Sequence, residues 1–296
     1  MSTSEGRLSL GLIGGELCES ESRFHEVNGH NASVTKNFKS IYGEVVDAAD
    51  YPYVVPIYSN QDSYNCAGSI VSQRLVLTAA HCCKRAYYVK VLDNEWQIYY
   101  VQQKVTYPST KRMFGSSVVQ DIALLVLDES IQNAQLVKLP ETNLQVPEGV
   151  IAYAYGWGET EDGSLSEDLR KVDLEITYGY PCTRYESKND AHWICTKSLT
   201  QATCYGDSGG PLLWEGYIVG ITSRHIGNGC LSSIPSLKVR VAPYRQWIDY
   251  YIDIQYFLVR FIFQEKFLSS VFSFELLEEW KFHVYDINSL QSKLLR

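Results

Sequence analysis

Three short motifs carry side chains that together could perform acyl transfer. His81 follows an apolar stretch in Thr-Ala-Ala-His-Cys, Asp121 opens Asp-Ile-Ala-Leu-Leu, and Ser208 lies in Gly-Asp-Ser-Gly-Gly-Pro. An imidazole can remove the proton of a serine hydroxyl, and a carboxylate can orient that imidazole. Each motif alone has a simpler interpretation, because a lone histidine is usually structural, an aspartate often opens a strand, and glycines often form plain turns. Glycines beside Ser208 would nevertheless let backbone N–H groups approach a substrate oxygen closely.

Taken together, the motifs resemble the chymotrypsin- or trypsin-like family of serine endopeptidases. They occur in the order His, Asp, Ser, with separations of 40 and 87 residues. The resemblance extends over 41–255 through Ile41-Tyr42-Gly43, Asn65-Cys66-Ala67-Gly68-Ser69, Tyr155-Gly156-Trp157-Gly158, Gly220-Ile221-Thr222-Ser223 and Gln246-Trp247-Ile248. It implies an all-β, trypsin-like fold of two antiparallel six-stranded β-barrels with a C-terminal helix. It also implies that Ser208 is the nucleophile, His81 the general base and Asp121 its orienting carboxylate.

Composition and patterning fit an all-β enzyme. The chain has 296 residues, 45% of them hydrophobic, which is enough to bury a substantial core, and its formal net charge of −8 argues against nucleic-acid binding. Short runs rich in branched and aromatic residues lie between turn-forming segments and predict antiparallel strands. These runs are Tyr53–Tyr58, Arg74–Thr78, Glu95–Val101, Ile122–Leu127, Val150–Tyr155 and Tyr217–Ile221. They do not alternate with long helices, which disfavours a doubly wound nucleotide-binding fold.

The sequence divides into three segments. Residues 1–40 are polar and aperiodic and are interpreted as a leader or propeptide, 41–255 as the peptidase domain, and 256–296 as an extension with a helical pattern. The apolar run in that extension is too short and too charged to span a bilayer. Eight cysteines without paired C-x-x-C spacing indicate an oxidised, secreted protein. Residues 1–17 lack the pattern of a signal peptide, so export is inferred from the cysteines.

The resemblance assigns two further tasks to residues around Ser208. The backbone N–H groups of Gly206 and Ser208 would form the oxyanion hole. Cleavage before Ile41 would free an α-amino group that pairs with Asp207 and orders this site; without the resemblance, Asp207 would be a solvated turn carboxylate. The junction departs from the family pattern, because Ser40 precedes Ile41 and Glu44 replaces the usual Gly. Self-activation with tryptic specificity is therefore not expected.

The primary specificity pocket also departs from a tryptic pattern. The resemblance places Ala202 at its floor, where an Asp would select Lys or Arg. The remaining pocket positions are Ser223, Arg224, His225, Ser236 and Lys238. An inward-pointing Arg224, His225 or Lys238 would favour an acidic substrate side chain, whereas a His225 that only narrows the entrance would favour small apolar ones. A third alternative is that these side chains point to solvent and leave a shallow neutral pocket.

The resemblance also implies a disulfide pattern. It pairs Cys66 with Cys82, Cys182 with Cys195, and Cys204 with Cys230, which leaves Cys18 and Cys83. Spacing alone would allow 105 pairings of eight cysteines. The last two could join the leader to the body or remain thiols.

These observations favour a secreted serine endopeptidase made as a zymogen. We expect it to need no metal or organic cofactor, to act as a monomer on protein or peptide substrates, and to meet protein protease inhibitors. One alternative is an inactive homologue that acts as a binding or decoy module, suggested by the altered pocket and activation junction. Another is an intracellular structural protein with reduced cysteines, suggested by the missing signal peptide.

Overall fold

The computed structural model describes 43–108, 112–113, 116–117, 120–178, 192–198, 200–224, residue 230 and 235–255, with the backbone alone for 112–113 and 116–117. The strands in these ranges are β1 (Glu44–Val45), β2 (Val54–Tyr58), β3 (Tyr64–Ser72), β4 (Leu75–Thr78), β5 (Tyr88–Asp93), β6 (Glu95–Thr106), β7 (Arg112–Met113), β8 (Ser116–Ser117), β9 (Ala123–Leu127), β10 (Ile151–Gly156), β11 (Arg170–Thr177), β12 (Trp193–Lys197), β13 (Pro211–Trp214), β14 (Tyr217–Arg224) and β15 (Ser236–Arg240). Short 3-10 helices span Ala48–Asp50, Ala80–Cys82 and Ala242–Tyr244, and an α-helix, α1, spans 245–255.

The first barrel closes in the order β2-β3-β4-β9-β6-β5, with antiparallel neighbours throughout. Strands β4 and β9 are buried along their whole length, as continuous apolar runs in a barrel wall should be. Strands β5 and β6 meet at Asn94, whose φ of +58° is a left-handed conformation that asparagine tolerates. These features close the barrel around an apolar interior.

The second barrel follows the order β11-β10-β13-β14-β15-β12 and is closed by pairing between β11 and β12. Strand β1 pairs with the beginning of β11. Nine buried residues from its strands and loops form an apolar cluster, namely Val146, Ala152, Ala154, Val172, Leu174, Ile176, Ile194, Leu212 and Val219. The predicted pair of six-stranded antiparallel barrels is therefore confirmed.

The six predicted strands are all present, and each begins within one residue of the expected position. Strand β6 is longer than predicted because it changes partner: up to Tyr100 it pairs with β5, and from Val101 it pairs with β9. The expected C-terminal helix is α1, and the predicted extension 256–296 lies outside the described residues. The chain divides into one unit that ends at Ile248 and a second from Asp249, of which 249–255 is described as helical.

The topology brings two of the three candidate catalytic residues to the same end of the first barrel. Thr78 at the end of β4 pairs with Ala123 at the start of β9. His81 follows β4 by three residues and Asp121 precedes β9 by two, so both leave the barrel at this edge. Ser208 precedes β13 of the second barrel. A site built from these residues draws on both barrels.

Candidate active site

Asp121 holds His81 through two hydrogen bonds. The His81 Nδ1 atom lies 2.8 Å from Asp121 Oδ2, and the His81 backbone N–H donates to Asp121 Oδ1 over 2.9 Å. Asp121 is 6% exposed, whereas 31% of the His81 side chain is exposed. The carboxylate therefore fixes both the ring and the backbone of a histidine that still reaches the cleft.

Ser223 is a third donor to the same carboxylate. Its hydroxyl donates to Asp121 Oδ2 over 2.5 Å across a separation of 102 residues. The sequence placed Ser223 among the pocket residues, and its contact with Asp121 was not anticipated. Three donors to one buried carboxylate favour its ionised form.

The charges of this pair shift the pKa values of both groups. Burial has the largest single influence on His81 and favours the neutral ring, but the hydrogen bond and charge of Asp121 together outweigh it and raise the pKa of His81 above 6.5. Arg224 opposes this increase. Burial also acts on Asp121, but the donors from His81 and Ser223 prevail and lower its pKa below 3.8. Asp121 is thus an anion at neutral pH beside an easily protonated base.

Backbone contacts place Ser208 beside the segments that carry His81. The Ser208 carbonyl accepts the N–H of Ala67 over 2.9 Å. Gly209 packs so closely against Thr78 and Ala67 that an added Cβ would overlap them, and its φ of +78° also requires glycine. Within the described residues no hydrogen bond joins the Ser208 hydroxyl to the His81 ring. Such contacts are often long in unliganded enzymes and tighten in the substrate complex.

A disulfide fixes the His81 segment against the strand that contacts Ser208. Cys66 on β3 is bonded to Cys82, the residue after His81, as expected. The neighbouring Asn65 side chain donates to the Cys82 carbonyl over 3.1 Å. The sulfurs lie near the His81 ring in a group with metal-ligand spacing, but their covalent bond removes both thiolates as ligands.

The candidate oxyanion donors are Gly206 and Ser208. Gly206 has a φ of +95°, a conformation that essentially only glycine adopts. Its carbonyl accepts the Tyr64 hydroxyl over 2.8 Å, which fixes the peptide that follows. Among the described residues, neither N–H donates a hydrogen bond. Nothing in the sequence indicated the role of Tyr64.

Asp207 is buried, so the interpretation as a solvated turn carboxylate is wrong. Its two oxygens accept the N–H groups of Gly158, over 2.8 Å, and Cys204, over 2.7 Å. A Cβ on Gly158 would lie 2.6 Å from the carboxylate, and Gly156 faces it equally closely. Burial raises the pKa of Asp207 despite the two N–H donors and the charge of Lys238. Its predicted partner, Ile41, lies outside the described residues.

The predicted pocket residues occupy different environments. Lys238 is fully buried, so it does not point to solvent. Arg224 is exposed, and its guanidinium lies 5.3 Å from the centre of the Trp193 ring. Ser236 Oγ lies 2.9 Å from Thr196 Oγ1, and Ala202 is partly exposed. His225 lies outside the described residues.

The remaining disulfide predictions are partly confirmed. Cys204 is bonded to Cys230, and Cys195 is in a disulfide. The predicted partner of Cys195, Cys182, lies outside the described residues, as does Cys18. Cys83 is buried. No helix among the described residues is long and apolar enough to cross a membrane.

Comparisons with known proteins identify the family. The trypsin family model matches residues 40–248. Granzyme-like protein 2 of Rattus norvegicus is 29% identical over 231 residues, which cover 73% of this chain and 90% of the relative. Brachyurin of Leptuca pugilator is 33% identical over 200 residues, covering 64% of this chain and 88% of the relative.

Solved structures agree with this identification. Neuropsin, a serine protease expressed in the limbic system of mouse brain, has a TM-score of 0.64 at 27% identity, covering 72% of this chain and 99% of that one. Human heparin binding protein has a TM-score of 0.60 at 25% identity, covering 71% and 95%. The chain belongs to the trypsin family and is a serine-type endopeptidase.

Proposed function

We propose that the chain hydrolyses peptide bonds through an acyl-enzyme formed on Ser208, with His81 as general base and Asp121 as its orienting carboxylate. The observation that carries this proposal is the pair of hydrogen bonds that Asp121 accepts from the ring and the backbone of His81. An Nδ1–H that donates to Asp121 leaves Nε2 free to accept a proton. The purely binding alternative is less favoured because this arrangement is intact.

The reaction proceeds in two steps. His81 Nε2 takes the Ser208 proton as the oxygen attacks the scissile carbonyl, and the imidazolium then protonates the leaving amine as the C–N bond breaks. Water enters with His81 again as the base, and its attack on the ester releases the acid and restores Ser208. Asp121 remains ionised and offsets the positive charge that forms on the ring.

The N–H groups of Gly206 and Ser208 would bind the oxyanion of each tetrahedral intermediate. They are suited to this because neither donates elsewhere within the described residues. The loss of one such donor typically costs about 3 kcal/mol of transition-state stabilisation.

We further propose that cleavage before Ile41 activates the enzyme by pairing the new α-amino group with Asp207. Val45 on β1 and Gly156 on β10 pair with Arg170 from opposite sides of β11, so residues 43–45 lie one strand away from a glycine that contacts Asp207. Gly43 packs against the backbone of Lys171 on β11. The two residues that separate Gly43 from the start of Ile41 can span about 7 Å. Glu44, which replaces the usual Gly, forms an ion pair with Lys171 at 2.5 Å, and this contact accounts for a charged residue at that position.

Primary specificity should not be tryptic, because Ala202 offers no carboxylate for Lys or Arg. The disulfides support a secreted enzyme that folds in an oxidising compartment. Its partners would then be protein substrates and protein protease inhibitors.

Labelling with a fluorophosphonate probe tests the nucleophile. Protein cleaved before Ile41 should be labelled, and Ser208→Ala should abolish labelling without lowering the thermal midpoint by more than a few degrees. Ser130→Ala, in a loop of the first barrel, is the matched control and should be labelled like the parent. Persistent labelling of Ser208→Ala would refute the assignment.

A further inference from the structure

Lys238 is a buried lysine behind the loop that carries the nucleophile. Its side chain has no exposed surface, and its Nζ donates to Thr203 Oγ1 over 2.7 Å and Thr222 Oγ1 over 3.4 Å. An ammonium has three N–H donors, so these two hydroxyls leave one to spare. Among the described residues no carboxylate lies within 4.0 Å of it. Buried charges are normally paired, so this incomplete set of partners suggests a missing anion.

Its two hydroxyl partners lie on segments that flank Ser208. Thr222 accepts the N–H of Gly209 over 2.8 Å and donates its own N–H to Gly210 over 2.9 Å. The next residue along β14, Ser223, binds Asp121. Thr203 belongs to the loop that ends in the oxyanion donor Gly206. The ammonium therefore contacts both this loop and β14, the two segments that flank Ser208.

The charges in this region do not balance after the proposed activation. Before cleavage, the buried carboxylate of Asp207 and the ammonium of Lys238 offset each other electrostatically. The α-amino group of Ile41 would then add a second cation for the same carboxylate. An acidic substrate side chain would supply the second negative charge and lower the cost of the buried ammonium.

From this arrangement we infer that Lys238 selects substrates with Glu or Asp as the residue that contributes the scissile carbonyl, an inference that rests on the proposed function. A substrate carbonyl on Ser208, with its oxygen towards the Gly206 N–H, would direct its own side chain towards the region between the 202–206 loop and β14. The small side chain of Ala202 leaves room there. The carboxylate takes the third N–H of Lys238 after a small displacement of the covering threonines.

The exposed cation Arg224 is a less suitable selector. Its guanidinium already packs over Trp193 and is in water, where ion pairs contribute little. Lys238 is shielded from water, and a charge-assisted hydrogen bond is stronger in such a buried environment. Variants of Arg224 and Lys238 therefore compare an exposed with a buried selector of an acidic substrate side chain.

Matched peptides test the inference. Protein cleaved before Ile41 is given fluorogenic peptides that differ only in Glu, Gln or Lys before the scissile bond. The value of kcat/KM for the Glu peptide should exceed that for the Gln peptide by about tenfold or more, the usual size of a charged hydrogen bond. Lys238→Met should reduce the Glu/Gln ratio to near one. Lys90→Met makes the same change in the first barrel, beside Tyr58, and should leave the ratio unchanged.

The outcomes separate the inference from the proposed function. If the cleaved protein labels with fluorophosphonate but cuts the Gln peptide as well as the Glu peptide, the inference fails while the peptidase assignment stands. A ratio that survives Lys238→Met but is lost in Arg224→Gln assigns selection to the rim and also overturns it. A protein that neither labels nor cuts any of the peptides overturns both.

The pH dependence of the parent protein gives a test that needs no variant. Burial lowers the pKa of Lys238 to about 7, with Asp207 opposing the shift. The other described residues that face it, Thr203, Thr222 and Ile194, do not titrate. The Glu/Gln ratio should therefore fall as the pH rises from 6 to 9, since the Glu carboxylate stays ionised and effects on His81 cancel in the ratio. A ratio that is constant or rises over this range contradicts the inference.

Discussion

The hydroxyl of Tyr64 should contribute to catalysis by fixing Gly206, the proposed oxyanion donor. It donates to the Gly206 carbonyl over 2.8 Å, and Gly206 holds a φ of +95°. Burial, assisted by the charge of Asp207, raises the pKa of Tyr64 well above 10, so the hydroxyl remains a donor at every physiological pH. Replacing Tyr64 with Phe removes this one hydrogen bond and preserves the ring.

The expected loss follows from the value of that bond. A neutral hydrogen bond whose partner is left unsatisfied is worth about 1–2 kcal/mol. If the loss is expressed at the transition state, Tyr64→Phe should lower kcat about 5- to 30-fold. The value of KM should change little, because the oxyanion forms only after substrate is bound.

Steady-state kinetics with one fluorogenic peptide provide the assay, and Tyr100→Phe is the control because its half-exposed ring lies on β6 of the first barrel. Thermal unfolding of both variants shows whether the loss of kcat occurs in folded protein. A Tyr64→Phe enzyme with unchanged kcat, or with a change confined to KM, would refute the reasoning.

Three further predictions concern the base, the activation and the framework. The labelling rate of Ser208 should fall as the pH drops through the raised pKa of His81, since the imidazolium cannot accept a proton. The midpoint of this pH profile should lie above 6.5, and it should move upward in Arg224→Gln because Arg224 lowers the pKa of His81. A midpoint at or below 6.5 in the parent would contradict this. Protein with 1–40 attached should label on the order of 100-fold more slowly than protein cleaved before Ile41, and Asp207→Asn should remove the gain; equal rates before and after cleavage would exclude a zymogen. Replacing Cys66 and Cys82 together with Ser should lower the free energy of unfolding by about 3 kcal/mol in denaturant titrations, because the bond closes a loop with a sequence separation of 16; unchanged stability would show that the bond does not constrain the unfolded chain.

The sequence predicted six of the fifteen strands in the described part of the chain, because the patterning of those six is local. The runs that became β4 and β9 are short, apolar and bounded by polar residues, and their position in a barrel wall follows from that pattern. The full length of β6 could not be predicted, because its second half depends on pairing with β9. Similarly, the resemblance supplied the cysteine pairs that spacing alone left open.

The site was less predictable where contacts join distant segments. The Ser223 hydroxyl and the Asp121 carboxylate come from different barrels, so their bond depends on how the barrels meet. Tyr64 reaches Gly206 across 142 residues for the same reason. Whether the Lys238 side chain points into the second barrel also depends on how that barrel closes. Alternation along β15 shows which residues share a face of the strand, but it does not show which face is enclosed.

Three consecutive residues at the beginning of β3 contact the two turns that carry His81 and Ser208. Asn65 and Cys66 bind the turn that carries His81, while Ala67 binds the turn that carries Ser208. Because the turns that carry the proposed base and the proposed nucleophile are both held by this short length of backbone, insertions in loops elsewhere need not alter the distance between them. Other loops of this enzyme can therefore be lengthened or exchanged as a route to new selectivity, whereas a one-residue insertion between Asn65 and Ala67 should move His81 away from Ser208.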